Sequence, residues 1–201
     1  RSFIQEDYQK KFSLLGLLWK AIGEFVNSRP DIYVLYGPVS ISADYTQFSK
    51  NLLVRFLRLN RWSKEIARRT KAKNQFRFTP LNPALLKWVK QEERRLDEVS
   101  AVISAVEPDG KGVPVLVKHY LKLNGLFVGF SVDPDFGDSL DGLIVVDIRN
   151  MEDRQLSCYF GEEGKRRIIR AREIHDAKVE NSVSFARGRN ARGSYAEPSN
   201  P

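Results

Sequence analysis

The chain has 201 residues, is 42% apolar and 11% aromatic, and carries a formal net charge of +8, so it has material for a sizeable core. One cysteine, Cys158, excludes a disulfide scaffold, and two histidines far apart, His119 and His175, leave too few ligands for a zinc site, so no metal is expected. The early apolar run Leu14 to Trp19 is broken by Lys20, well short of the ~20 residues that cross a bilayer.

The chain opens at Arg1 with neither an initiator methionine nor a signal pattern, which predicts a piece of a longer protein. Residues 8 to 27 carry Leu15, Leu18, Trp19, Ile22, Phe25 and Val26 at three- and four-residue spacing, an amphipathic helix that Pro30 ends. Ile32 to Tyr36 follows as an unbroken β-prone run, expected to be a strand buried on both sides and ended by Gly37 and Pro38. Asp44 as N-cap, with Gln47 three residues on, opens a second helix whose stripe is Phe48, Leu52, Leu53, Phe56 and Leu57. Residues 1–60 are expected to form one core segment of strand end, helix, strand and helix.

From Lys50 to Arg77 ten cations face a single anion, Glu65, a local charge of +9. The rest of the chain therefore sums to −1. A second basic surplus begins at Lys165. Such asymmetry points to an anionic partner: a phospholipid surface, an acidic carrier protein or nucleic acid. The alternative is a solvated face that keeps the protein soluble. Residues 61–82 within this region have no clean period and are expected to be a basic connection.

Asn82 and Pro83 restart a helix in the favoured N-cap and N1 order. Leu85, Val89, Leu96, Val99, Ile103 and Val106 mark its face, so one long helix is expected over 83–107. Asp109, Gly110 and Gly112 make a turn, and a short helix carries Leu116, Tyr120 and Leu123 up to Gly125. Leu126 to Val132 and Leu143 to Ile148 read as strands separated by the acidic turn Asp133 to Gly142. A weaker helix spans Glu162 to His175, and the polar, apolar-poor stretch over 176–201 is expected to be a disordered tail. The whole reads as mixed α and β, with a sheet assembled from segments distant in sequence.

Several chemistries find no support. The elbow G-x-S-x-G is absent, and neither histidine has an evident serine or cysteine partner. Gly110-Lys111 lacks the flanking positions of a phosphate loop, which hold Ala105 and Gly112. The Asp133, Asp135, Asp138 and Asp141 series departs from a calcium loop at Pro134, Asp138 and Ile144. His119 is followed five residues later by Asn124, not by the aspartate that glycerolipid O-acyltransferases use.

The stretch PDGKGVPVLVKHYLKLNGLFVGFSVDPDFGDSLDGLIVVDI, Pro108 to Ile148, resembles the C-terminal part of the bacterial hemolysin-like branch of the GNAT superfamily. That group is related to ornithine–acyl carrier protein N-acyltransferases and, more distantly, to acyl-homoserine lactone synthases. RSFIQEDYQ, LLWKAIGEFV and YVLYGPVSISADY resemble the segments that precede it in that group, so the resemblance runs from Arg1 to about Arg170. It implies the C-terminal portion of a GNAT-like acyltransferase fold with extra helices, the N-terminal half-domain missing. Arg1 and Ser2 would close the central fourth strand, with Ile32 to Tyr36 as the fifth.

The implied reaction moves a fatty acyl group, typically 3-hydroxylated, from acyl carrier protein to the α-amine of ornithine or another amino acid. No cofactor is expected to be resident. Free coenzyme A is a doubtful donor, because Gln5 to Lys10, where the wider superfamily cradles pyrophosphate, has no glycine and two carboxylates. The resemblance implies catalytic roles for Arg1, Ser2 and Tyr120. It implies substrate contacts for Lys118, for Asp133, Asp135 and Asp141 around a cationic acceptor, and for Gly37 and Pro38, which would splay the fifth strand. The readings beside these are that the aspartates shape a turn, that Tyr120 packs in the core with Leu116 and Leu123, and that Arg1 is structural. Arg55, Arg58, Arg61, Arg68 and Arg69 are the expected landing surface for acyl carrier protein or an anionic membrane. The implied location is cytoplasmic and peripheral at the inner membrane, and the isolated piece is expected to be inactive. The competing readings are a non-catalytic basic membrane-surface or nucleic-acid-binding module, or the accessory half of a bifunctional lysophospholipid-type acyltransferase. Nucleic acid is disfavoured by the lack of any RNP-like or helix-turn-helix signature.

Overall fold

A computed structural model describes residues 13–91 and 95–192, the side chains of 13–14 and 181–192 excepted. Arg1, Ser2 and Gln5 to Lys10 lie outside the described residues. The chain divides into two compact units, residues 34–151 and a second unit that joins the first 33 residues to those from Glu152 on.

In the second unit, α1 (Ser13–Asn27) packs on α7 (Asp153–Arg192). Trp19 and Val26 are buried from α1, and Leu156, Phe160 and Ile168 from α7. Non-helical dihedrals at Gly161 (φ 69°, ψ 179°) break α7, and Asn27 Nδ2 donates to the Phe160 carbonyl beside that break at 2.9 Å. A side chain at Gly23 would overlap the Tyr159 carbonyl, so the close approach of α1 requires glycine there. Arg167 donates to the Pro30 carbonyl at 3.1 Å and lies over the Tyr33 ring. The expected helix Glu162–His175 is therefore part of a longer one, which runs to Arg192 through much of the expected disordered tail. Its lysines, arginines, glutamates and alanines favour helix beyond the part that packs on α1.

The larger unit holds one antiparallel sheet in the order β1-β3-β2, with β1 Val34–Ile41, β2 Leu126–Asp133 and β3 Ser139–Asp147. The strand expected to end at Gly37 and Pro38 instead runs through both, which pair with Ile144 and Leu143 of β3. Nor is it buried on both sides: Val39 and Ile41 are buried while Val34 and Tyr36 are exposed, the alternation of an edge strand with one face on the core. Proline survives there because an edge strand has a side on which no donor is needed. The expected acidic turn shrinks as well. β3 begins at Ser139, and Gly137 and Asp138 turn the chain in left-handed conformations.

Helices α2 (Gln47–Asn60), α5 (Leu96–Val106) and α6 (Val115–Lys122) supply Leu52, Leu53, Leu57, Val99, Ile103 and Val117 to a core shared with Val39, Ile41, Phe127, Phe130 and Ile144. The cap of α2 is Thr46 rather than Asp44, its hydroxyl accepting from Ser49 N. Buried Glu107, just past α5, accepts from both the amide (3.0 Å) and the hydroxyl (2.7 Å) of Thr46, placing a carboxylate at the positive end of α2. Burial alone would raise the Glu107 carboxyl. Hydrogen bonds from Ser49 and Thr46, with the Lys111 charge, outweigh that and hold it below the usual glutamate value. The single helix expected over 83–107 is two, α4 (Pro83–Val89) and α5, with residues 92–94 outside the description.

Candidate functional site

Two phenylalanines determine the local shape of β2. A bulge at Val128 shifts the register between Phe127 and Gly129, so Phe127 and Phe130, three residues apart, face the same side and stack at 5.2 Å and 13°. Both rings lie on Gly142 of β3, where a Cβ would sit 2.5 Å from Phe127 and 3.0 Å from Phe130. Trp62 extends the stack, its ring 6.0 Å from Phe130 and inclined by 12°.

The edge of β2 away from β3 is covered by the segment expected to be a basic connection. At one end Phe127 N donates to the Arg61 carbonyl at 2.8 Å, and Ser63 N donates to the Phe127 carbonyl at 3.0 Å. At the other, Val132 N donates to the Asn74 carbonyl at 2.8 Å, and Asn74 Nδ2 returns a bond to the Val132 carbonyl at 3.1 Å. Buried Asn51 of α2 donates to both the carbonyl and the hydroxyl of Thr79, at 2.6 and 2.7 Å, and Gln47 holds the Arg77 carbonyl. Between these clamps the chain forms the short helix α3 (Lys64–Ala67), capped by Ser63, and arches away from the strand.

Beneath the arch lies a cavity of about 240 Å³ lined by Arg58, Trp62, Phe76, Phe78, Val128, Gly129 and Phe130, and by the small Ala67, Thr70 and Ala72. Arg58 of α2 lies 5.0 Å over Trp62 and 5.5 Å over Phe78, and Arg55 lies 4.7 Å over Phe78 while donating to Asn51. Phe76 meets Phe78 edge to face at 5.3 Å. Along the arch, Ala67, Thr70 and Ala72 point inward while Arg68, Arg69, Lys71 and Lys73 are exposed.

Of the expected landing surface, Arg58 lines this cavity, Arg55 joins its aromatic wall, and Arg61, Arg68 and Arg69 are exposed on the covering segment. The expected substrate residues lie elsewhere. Gly37 and Pro38 are on β1, at the opposite edge of the sheet. Asp133 accepts from Asp135 N at 3.1 Å and Ser139 Oγ donates to Asp141 at 3.5 Å, contacts that shape the β2–β3 turn. Tyr120 is half-buried against the core, which pushes its hydroxyl pKa up, and Lys118 is next but one before it on α6. Burial, with the Lys122 charge, pushes the neighbouring His119 down, so the imidazole is neutral at pH 7. Among the described residues no cluster of three or more histidine, cysteine, aspartate or glutamate side chains could hold a metal, and no helix is long and apolar enough to cross a membrane.

Sequence reasoning assigned Trp62, Phe76 and Phe78, interleaved with the cations of residues 61–79, to no site and missed the bulge. The available signal was the alternation of small residues and cations from Ala67 to Lys73, which marks two faces of one segment.

No family model matches the chain, and no solved structure matches it. The chain is similar to the glycine N(alpha)-acyltransferase of Bacteroides thetaiotaomicron, strain VPI-5482, at 22% identity over 172 residues. That alignment takes in 78% of the chain and 48% of the relative, so the chain spans about half the length of the curated protein it matches.

Proposed function

We propose that this chain is part of an N-acyltransferase that moves a fatty acyl group, 3-hydroxylated or plain, from acyl carrier protein to the α-amine of an amino acid, ornithine among the candidates. The observation that carries the reading is the similarity to glycine N(alpha)-acyltransferase along most of the chain. In such a transfer the neutral amine nitrogen attacks the thioester carbonyl carbon. A C–N bond forms, the C–S bond breaks, and the proton leaving nitrogen ends on the departing thiol.

The covering segment supports the choice of donor. Arg61, Arg68, Arg69, Lys71 and Lys73 stand exposed on one edge of the sheet, a shape and sign that suit an acidic carrier protein. The same charges would hold the enzyme at an anionic bilayer, the basis for a peripheral location at the cytoplasmic membrane face.

The test is lipid mass spectrometry on a heterologous host expressing the full-length gene, beside Arg1→Ala and an Arg61, Arg68, Arg69→Gln triple variant. A new N-acylated amino-acid lipid is expected, its mass naming acceptor and chain, with a lower yield from the triple variant. A folded protein that yields no such lipid, with carrier and amino acids present, overturns the reading. It would favour a non-catalytic basic module.

A further inference from the structure

The cavity under the arch is kept open by a consistent choice of residues. Its roof presents Ala67, Thr70 and Ala72, and its floor is the bulged backbone at Val128 and Gly129. A Cβ at Gly129 would only reach ordinary contact with Thr70 Cγ2, at 3.6 Å, so the glycine is not imposed by crowding, and a larger side chain would project into the empty volume. The one hydroxyl of the lining is committed elsewhere. The Thr70 hydroxyl donates to the Ile66 carbonyl at 2.9 Å, which leaves its methyl toward Gly129. Trp62 stacks on Phe130, and Phe76, Phe78, Arg55 and Arg58 form one aromatic and guanidinium wall.

An occupant of this space would find aromatic and small aliphatic side chains, the side-chain amide of Gln75, and one exposed guanidinium, Arg58, on the lining. Resting on the N-acyltransferase reading, we propose that the cavity seats the distal part of the acyl chain, its polar end directed toward Arg58 and the cations of the arch. A flat aromatic ligand is the poorer fit, since the rings that would sandwich it already pair with one another and with arginine. At about 30 Å³ for each water-sized group, 240 Å³ accommodates a chain of about eight carbons. The covering segment then has two jobs on opposite faces: small side chains inward for the chain, cations outward for whatever delivers it.

The test is calorimetric titration of the chain with sodium salts of saturated fatty acids from hexanoate to dodecanoate, below their micelle concentrations. Gly129→Leu and Ala72→Leu are titrated alongside, each checked by circular dichroism and thermal melting. Affinity is expected to rise about four-fold per methylene until about eight carbons are seated and then to level off. Each filling variant is expected to weaken decanoate binding at least ten-fold. Ala72→Leu lies on the arch, outside the strand ladder, so it keeps the experiment decisive where Gly129→Leu fails to fold. Affinity that ignores chain length, or decanoate binding by a folded filling variant within two-fold of the parent, overturns the seat.

The two proposals fail separately. If the full-length enzyme makes an N-acyl lipid whose chain-length profile Gly129→Leu and Ala72→Leu leave unchanged, the seat is wrong and the reaction stands. If fatty acids bind with the expected length dependence while no N-acyl lipid forms, the seat stands and the reaction is wrong.

Discussion

The two edges of the three-stranded sheet are finished in opposite ways. At β1 the edge carries Pro38 within the strand and the exposed side chains of Val34 and Tyr36, the latter 79% accessible. At β2 the edge is bonded at both ends to a cation-bearing segment that encloses a cavity. A proline withdraws a donor from the first edge and so discourages strand addition, whereas the second has the backbone groups at its two ends taken up by another part of the same chain. The contrast teaches that a covered edge can do more than prevent association. By bonding the arch to β2 at Arg61–Ser63 and at Asn74–Gln75, the protein leaves a lined space where a fully paired strand would have left none.

The largest way to break the contrast is beneath the covered edge. Phe127 is fully buried, stacks on Phe130, and exchanges two backbone bonds with the arch. Phe127→Ala should cost about 3–5 kcal/mol, read as a lowered midpoint in urea, since both transfer and cavity contributions apply. A loss under about 1 kcal/mol would show that the aromatic stack does not anchor this edge.

Next in size is the anchoring of α2, which carries Arg55 and Arg58 to the site. Glu107 is held ionised at the start of that helix, its folded value lying below its unfolded one. Its contribution is therefore fully present above the unfolded pKa and is lost as pH falls through the folded value. Glu107→Gln should destabilise by about 1–3 kcal/mol at pH 7 and flatten the acid limb of the stability profile. A variant with the parent's acid limb would assign that limb to other carboxylates.

A smaller effect tests the clamp itself. Asn74 Nδ2 donates to the Val132 carbonyl, and Asn74 N donates to the Ser131 hydroxyl at 3.2 Å. Asn74→Ala removes the first bond and keeps the second, at a cost of about 1 kcal/mol. Its diagnostic readout is trypsin cleavage between Arg68 and Lys73, which should quicken several-fold while the midpoint moves little. Equal cleavage rates in parent and variant would mean that the backbone bonds alone hold the arch.

How much of this could be read from the residues differs between the two edges as well. The existence of α1, α2 and α6, the stripe of α2 and the β2–β3 pair follow from local periodicity and were legible, as was the mixed α and β character; Leu18 and Phe25 of the expected α1 stripe and Leu116 of the expected α6 face are exposed instead. β1 was truncated in the reading because Gly37-Pro38 normally punctuates a strand, and only the sheet order shows that the proline sits at an edge. α4 and α5 merged because the apolar spacing of Leu85 to Val106 passes through the polar stretch between them. The basic surplus was visible, yet the cavity was not. It depends on pairings such as Asn74 with Val132, separated by 58 residues, and on a bulge that no local pattern announces. Of the residues singled out by resemblance, Tyr120 packs against the core and the three aspartates lie in or beside the β2–β3 hairpin turn, while Trp62, Phe76 and Phe78 of the aromatic lining came from outside the stretch that carried the strongest resemblance.

The smallest effect on stability belongs to the β1 edge. Pro38 pairs opposite Leu143 on the strand that has no second strand partner among the described residues. Pro38→Thr restores a backbone donor and a β-favouring side chain at an exposed position, so the folding free energy should move by no more than about 0.5 kcal/mol. What should change is association. A donor at position 38 gives an incoming strand a partner, and the exposed Val34 and Tyr36 offer it apolar contact. Sedimentation velocity across a hundred-fold concentration range should therefore show a larger oligomeric fraction for Pro38→Thr than for the parent, with no such rise for Asn74→Ala, whose edge stays covered. If both variants sediment like the parent, the proline is not what protects β1, and the contrast between the two edges reduces to the presence of the arch.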